Sequence, residues 1–143
     1  MKRICGTILA LMLLVTAGVS AGAEGSGSEA KLLCLNIGKA DCLLLFCADG
    51  CWLIDAGYEQ NYPALETALR EYQVDRLNGV FLTHAHEDHE GGLMPLAKTG
   101  LPVDAWYASA VWHDVKEGKH PAVLAAKERG KEVVWMNAGD VIP

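Results

Sequence analysis

The sequence is short of basic side chains and of internal repeats. Lysine and arginine number 12 against 18 aspartates and glutamates, and the net charge is −6. This balance argues against a protein that holds nucleic acid by bulk attraction to phosphate, but it does not exclude an enzyme that meets a phosphodiester through a metal. With 143 residues, the chain is too short for two domains. Its hydrophobic fraction of 51% excludes intrinsic disorder and predicts one packed domain.

The sequence also lacks an apolar run long enough to span a bilayer. Its longest run covers residues 4–19, which is short of the roughly 20 residues that a spanning helix needs. Lys2 and Arg3 precede this run, and the small residues Ala21-Gly22-Ala23 follow it. The order is typical of a secretory signal peptide over residues 1–23, followed by a linker over 24–30. We therefore expect a secreted or extracytoplasmic protein with no stable membrane span after cleavage, which changes the net charge from −6 to −8 by removing two basic residues.

The predicted mature chain keeps four cysteines, and export permits disulfides between them. A turn over residues 48–50 would let Cys47 and Cys51 face each other across two strands. Cys34 and Cys42, like the other two, also sit among leucine, phenylalanine or tryptophan, as small buried thiols do. The sequence does not supply the Cβ geometry that a bridge requires, so both interpretations stay open.

Hydrophobic periodicity predicts a layered α/β architecture with helices outside a mixed sheet. The predicted strands span residues 31–37, 42–47, 51–54, 80–83, 103–107 and 132–135. The predicted helices span residues 63–72, 91–98 and 120–129. Strands come first and then alternate with helices, which favours one sheet that contains both antiparallel and parallel pairs.

Three of the five histidines fall within six positions, directly after an apolar strand. The α/β proteins place their sites in such loops, at the carboxyl ends of strands. His84 and His86, two residues apart, point the same way from an extended chain. Asp88 and His89 follow the bend and turn toward a second ion. Imidazole with carboxylate is a ligand set that suits zinc, so the segment predicts a site for one or two zinc ions rather than an exposed polar loop.

The pattern His84-x-His86-x-Asp88-His89, followed by Gly91-Gly92, resembles the signature of the metallo-β-lactamase superfamily. Upstream, residues 36–41 (Asn-Ile-Gly-Lys-Ala-Asp) and 53–57 (Leu-Ile-Asp-Ala-Gly) resemble the opening of its competence-protein branch, the ComEC-type hydrolase domain. The first segment commonly reads Asp-Val-Gly-Gln-Gly-Asp in that branch, and Asn36, Lys39 and Ala40 depart from it. The resemblance covers about residues 31–143, which we therefore interpret as a metallo-β-lactamase-like domain.

The resemblance implies a role for each matched residue. His84 and His86 would bind a first zinc ion, and Asp88 and His89 would bind a second, with Asp88 also taking part in catalysis. Asp55 would order the histidine loop from behind without binding metal. The counterpart of Asp41 also occurs in the competence-protein branch, and a simple turn carboxylate explains this residue equally well.

The function that the resemblance implies is that of an exported zinc-dependent hydrolase. Water activated by the metal would attack a phosphodiester or an ester- or amide-type bond. The substrate would be a small molecule or a phosphodiester, and nucleic acid is one possible phosphodiester that the acidic charge disfavours. The alternative is a catalytically incomplete remnant or a metal-binding module that lacks the later ligands.

The superfamily pattern needs another histidine, a bridging aspartate and a last histidine after this motif. The downstream histidines His113 and His120 are expected at the surface or at a helix end, and Asp140 is expected in a turn. The chain thus resembles the N-terminal half of an αβ/βα sandwich, whose sheet would expose an apolar face. We expect a missing C-terminal half, with a homodimer or a separate completing chain as the alternatives.

Overall fold

The computed structural model describes residues 29–114 and 119–142. The predicted signal peptide and most of the predicted linker lie outside the described residues. Within the described ranges, none of the helices combines the length and apolar character that crossing a bilayer requires.

The described residues form a mixed sheet with helices packed against it, as the sequence predicts. The strands are β1 (Lys31–Cys34), β2 (Cys42–Cys47), β3 (Gly50–Ala56), β4 (Leu77–Leu82), β5 (Val103–Ser109) and β6 (Val133–Met136). The α-helices are α1 (Tyr62–Glu71), α2 (Glu87–Glu90), α3 (Leu93–Thr99) and α4 (Pro121–Glu128), and 3-10 turns cover Glu59–Asn61 and Ala110–Trp112. The sheet order is β1-β2-β3-β4-β5-β6, antiparallel from β1 to β3 and parallel from β3 to β6.

Except for the second strand, the observed elements differ from the predicted bounds by one to three residues at one or both ends. The first strand ends at Cys34 instead of residue 37, because the chain turns ahead of β2 and Gly38 adopts a φ of 82°. The helix expected from residue 91 begins at Leu93, and the separate single-turn helix α2 precedes it. The predicted second strand, residues 42–47, has the observed bounds.

The helices cover one face of the sheet. The parallel strands follow chain order without reversal, so right-handed crossovers place their connecting helices on the same side. The core on this side contains Leu44, Leu53, Leu82 and Trp106, each at most 1% exposed. Packing of the helices against this core holds the ends of β3 and β4 in place.

The opposite face of the sheet is apolar and only partly buried by the described residues. Leu45, Trp52, Ile54 and Phe81 line a groove of about 470 Å³ on this face, and Ile142 also reaches it. An exposed apolar face agrees with the expectation from the sequence, and what covers it stays a prediction.

The four described cysteines are free thiols. Cys51 pairs with Phe46 in the ladder between β2 and β3, whereas Cys47 pairs with Gly50, so the pleat directs the two sulfurs to opposite faces. Burial raises the pKa of Cys51 to about 11, and burial with the nearby charge of Asp55 raises that of Cys42 to about 12. The buried-thiol interpretation therefore holds for Cys42 and Cys51, whereas Cys34 is exposed and Cys47 is partly buried, and Cys47 and Cys51 do not face each other.

Candidate metal centre

The candidate site lies at the sheet edge where β3 and β4 end and β2 begins. Because β2 runs antiparallel to β3, Cys42 pairs with Ala56, which places Asp41 beside the end of β3. The histidine segment follows β4, the parallel neighbour of β3 on its other side. Three segments that are distant in sequence thus meet at one point.

Backbone hydrogen bonds join these three segments. The Asp41 N–H donates to the carbonyl of Asp88 at 3.1 Å, and the Gly57 N–H donates to the carbonyl of Asp41 at 2.8 Å. The Gly92 N–H donates to the carbonyl of Gly57 at 3.2 Å. These three bonds hold the turn before β2, the end of β3 and the histidine segment in fixed positions relative to one another.

Asp55 is the buried acceptor at the centre of the site, with 2% of its surface exposed. Thr83 donates to it twice, through its backbone N–H at 2.8 Å and its hydroxyl at 2.7 Å. Nδ1 of His89 lies 2.8 Å from the same carboxylate and, facing an acceptor, donates its proton. Asp55 has a φ of 55°, a conformation that aspartate adopts more readily than most side chains.

This network determines which imidazole nitrogens face outward. The hydroxyl proton of Thr83 points at Asp55, so Nδ1 of His84, 3.0 Å from the hydroxyl oxygen, donates to that oxygen. Nδ1 of His89 donates to Asp55 directly. In the neutral ring of either histidine, Nε2 is then the nitrogen without a proton, which is the one that can bind a metal ion.

The imidazole rings and two further carboxylates converge in front of Asp55. The ring centroid of His84 lies 3.8 Å from that of His89 and 4.7 Å from that of His86. Nε2 of His89 is 3.6 Å from a carboxylate oxygen of Asp41 and 3.8 Å from one of Asp88. Two tetrahedral ligands, each about 2.0–2.2 Å from one zinc ion, lie roughly 3.3–3.6 Å apart. Each of the two carboxylates, taken with Nε2 of His89, is therefore close to the spacing of two ligands on one divalent metal ion.

The structure brings together the residues that the histidine motif singled out. His84, His86, Asp88 and His89 form one cluster, and Asp55 supports it from behind, although their assignment as ligands stays a prediction. Asp41, Asp55 and His89 each place one donor atom within 4.8 Å of the others. The turn that carries Asp41 is therefore part of the site, a point that the sequence left open.

Trp112 contributes a wall to the site that sequence reasoning missed. It follows β5 in the 3-10 turn, and its ring centroid lies 5.9 Å from that of His84 and 5.4 Å from that of His86. No motif marks it, because the contact depends on β5 lying beside β4 in the sheet. A tryptophan three residues after the end of β5 is the only signal in the sequence that points to it.

The downstream histidines make their described ring contacts with Trp135. His113 is exposed, and its Nδ1 lies 2.6 Å from a carboxylate oxygen of Asp114. His120 is buried at the N-cap of α4 and packs edge-on against Trp135 at 5.1 Å. These positions agree with the expected surface and helix-end roles.

The turn at residues 137–140 also matches its expectation. The Asp140 carboxylate accepts the backbone N–H of Asn137 at 2.7 Å. This side chain therefore stabilises its own turn.

The Thr83→Val variant tests the relay between Asp55 and His84. It removes the hydroxyl that joins them while keeping the side-chain shape and the backbone N–H bond to Asp55. We expect zinc affinity, measured by competition with a chromophoric chelator, to fall about 10–100-fold. Thr67→Val is the matched control, since Thr67 bonds only the Pro63 carbonyl in α1 among the described contacts. Equal affinities in the two variants would contradict the relay.

Residues 36–141 match the model of the Metallo-beta-lactamase superfamily. No curated protein matches the chain.

Several solved structures resemble the chain over part of their length. A metallo-beta-lactamase-like protein from Thermotoga maritima is 19% identical, with a TM-score of 0.54, over 79% of this chain and 61% of its own. A Cronobacter sakazakii metallo-beta-lactamase with a HARLDQ motif is 29% identical, with a TM-score of 0.41, over 49% of this chain and 27% of its own. One from Elizabethkingia meningoseptica is 22% identical, with a TM-score of 0.46, over 53% and 28%. The chain therefore spans 61% or less of these proteins, and the Thermotoga likeness confirms the predicted α/β fold.

Proposed function

The chain belongs to the metallo-β-lactamase superfamily, and on that premise we propose that it acts as an exported zinc-dependent hydrolase. The observation that carries the proposal is the hydrogen-bonded unit of Asp55, Thr83, His84 and His89. This unit orients two imidazoles with Nε2 outward at the sheet edge. A loop that is merely polar has no need for a buried carboxylate that fixes histidine tautomers.

In this proposal His84 and His86 hold one ion, and Asp88 and His89 hold a second. Bound zinc supplies Lewis-acid polarisation of the scissile group and a lowered pKa for water. The Asp88 side chain is 35% exposed, so its carboxylate is open to water and can orient the attacking molecule or accept its proton. Asp55 keeps the adjacent His89 in one orientation throughout.

The substrate that we favour is a small phosphodiester. The resemblance to the competence-protein branch supports phosphodiester chemistry, and the net charge of −8 expected after cleavage disfavours a long polyanion because its phosphates would be repelled. Trp112 lies against His84 and His86, so it supplies an apolar wall for the leaving group. An ester- or amide-type bond is the second substrate class.

Hydrolysis of bis-p-nitrophenyl phosphate by the zinc-loaded protein tests the proposal. We expect turnover in the unaltered protein and its loss, by at least about a hundredfold, in His86→Ala and Asp88→Ala. His113→Ala is the control, since this exposed histidine contacts Asp114 and Trp135. Turnover that survives both cluster substitutions would contradict the proposal.

A metal-binding module without turnover is the second candidate. It is favoured by the position of His113, whose described partners are Asp114 and Trp135. The described ring contacts of His84 and His86 are with each other, with His89 and with Trp112. Bound zinc together with zero turnover in the same assay would favour this candidate over the hydrolase.

A further inference from the structure

We propose that Asp41 is a ligand of the same metal ion as Asp88 and His89, an inference that rests on the proposed metal centre. Nε2 of His89 is the shared reference point, and Asp41 approaches it to 3.6 Å while Asp88 approaches it to 3.8 Å. By distance, the carboxylate from the turn before β2 is placed at least as well as the one within the histidine motif.

The backbone holds Asp41 in this position. Its N–H donates to the Asp88 carbonyl and its carbonyl accepts from Gly57, so the residue is tied to both neighbouring loops. Its side chain is 63% exposed, which means that burial of apolar surface does not explain why it faces His89. A fixed backbone with an open carboxylate beside an imidazole Nε2 is the arrangement that a ligand requires.

Asp55 is the competing carboxylate, and its hydrogen bonds exclude it from this ion. It faces Nδ1 of His89 and already accepts two bonds from Thr83. One ring nitrogen cannot donate a proton to Asp55 and bind a metal at the same time. An ion on the Nε2 side would therefore take its carboxylate ligands from Asp41 and Asp88.

The chemistry of the second ion follows from this ligand set. Two carboxylates and one imidazole neutralise a divalent ion, which favours hard-to-borderline metals such as zinc or manganese. All three donors lie within residues 41–89.

Replacement of the ligand by one with its own spectrum tests the assignment. In the cobalt-loaded protein, Asp41→Cys is expected to add a thiolate-to-cobalt charge-transfer band in the near ultraviolet. The unaltered protein gives the baseline for its own thiols, and Asp49→Cys, in the hairpin between β2 and β3, is the matched control. A spectrum of Asp41→Cys that matches that of Asp49→Cys would overturn the assignment.

Zinc affinity provides the second measurement. Asp41→Asn is expected to weaken binding of one zinc ion at least about tenfold, whereas Asp49→Asn leaves it unchanged. Weaker zinc binding alone would also follow from the loss of a nearby negative charge. The cobalt spectrum of Asp41→Cys reports coordination itself and so distinguishes the two explanations. If the unaltered protein binds no zinc, the metal centre itself is wrong; if it binds zinc and Asp41→Asn binds equally well, only the role of Asp41 is wrong.

Discussion

The Gly92→Ala variant is expected to lose about 3 kcal/mol of unfolding free energy and to bind zinc at least about a hundredfold more weakly. A Cβ at position 92 would overlap the carbonyl oxygen of Ala56 and lie 3.1 Å from its Cβ. Gly92 has φ −76° and ψ −8°, which alanine adopts readily, so the whole effect is steric. Relief requires the histidine segment to move away from the end of β3, and that movement separates His89 from Asp55.

The Gly100→Ala variant is the control for this prediction. Gly100 has a φ of 84° and open space around its Cβ direction, so alanine there adds backbone strain of about 1 kcal/mol without any clash. Urea unfolding and chelator competition measure both variants. Equal stability losses, or full zinc affinity in Gly92→Ala, would contradict the close packing of the two loops.

The Asp55→Asn variant is expected to reduce zinc affinity at least about a hundredfold and the unfolding free energy by about 1–3 kcal/mol. Asparagine keeps the size of the side chain and tolerates the φ of 55°. The carboxylate accepts the Thr83 N–H on one oxygen and the Thr83 hydroxyl and His89 Nδ1 on the other, and an amide, with a single acceptor oxygen, cannot accept all three bonds. If the amide NH₂ donates to Nδ1 of His89, the proton moves to Nε2 and the ring can no longer bind metal.

Asp49→Asn is the control for charge and residue type, since Asp49 is exposed in the hairpin before β3. The pair is compared by isothermal titration with zinc and by urea unfolding. An Asp55→Asn protein that binds zinc like Asp49→Asn would show that Asp55 does not fix the histidine tautomers.

The parts of the fold that could be predicted from the sequence are those that short, local patterns of residues encode. The second strand has its observed bounds because an apolar run lies between two turn segments, and the histidine motif appears at the end of β4 because an apolar strand precedes it. Asp55 lies behind the cluster, where the resemblance rather than the spacing placed it, and its supporting role there stays a prediction. These features depend on residues close together in the chain.

The contributions of Asp41 and Trp112 could not be predicted in the same way. Asp41 reaches His89 because Cys42 pairs with Ala56 in an antiparallel register, and Trp112 reaches His84 because β5 lies beside β4. Register and strand order are tertiary properties that no short motif encodes. The tautomer of His84 depends on the Thr83 hydroxyl. In the sequence, Thr83 can be recognised only as the residue that ends a strand.

The zinc content of the purified protein tests the metal centre most directly. Metal analysis by mass spectrometry after purification without chelators should find at least one zinc ion per chain. The combined variant His84→Ala, His86→Ala and His89→Ala should contain none while keeping the circular dichroism of a folded chain. A folded unaltered protein that retains no zinc, or a triple variant that retains as much, would contradict the account.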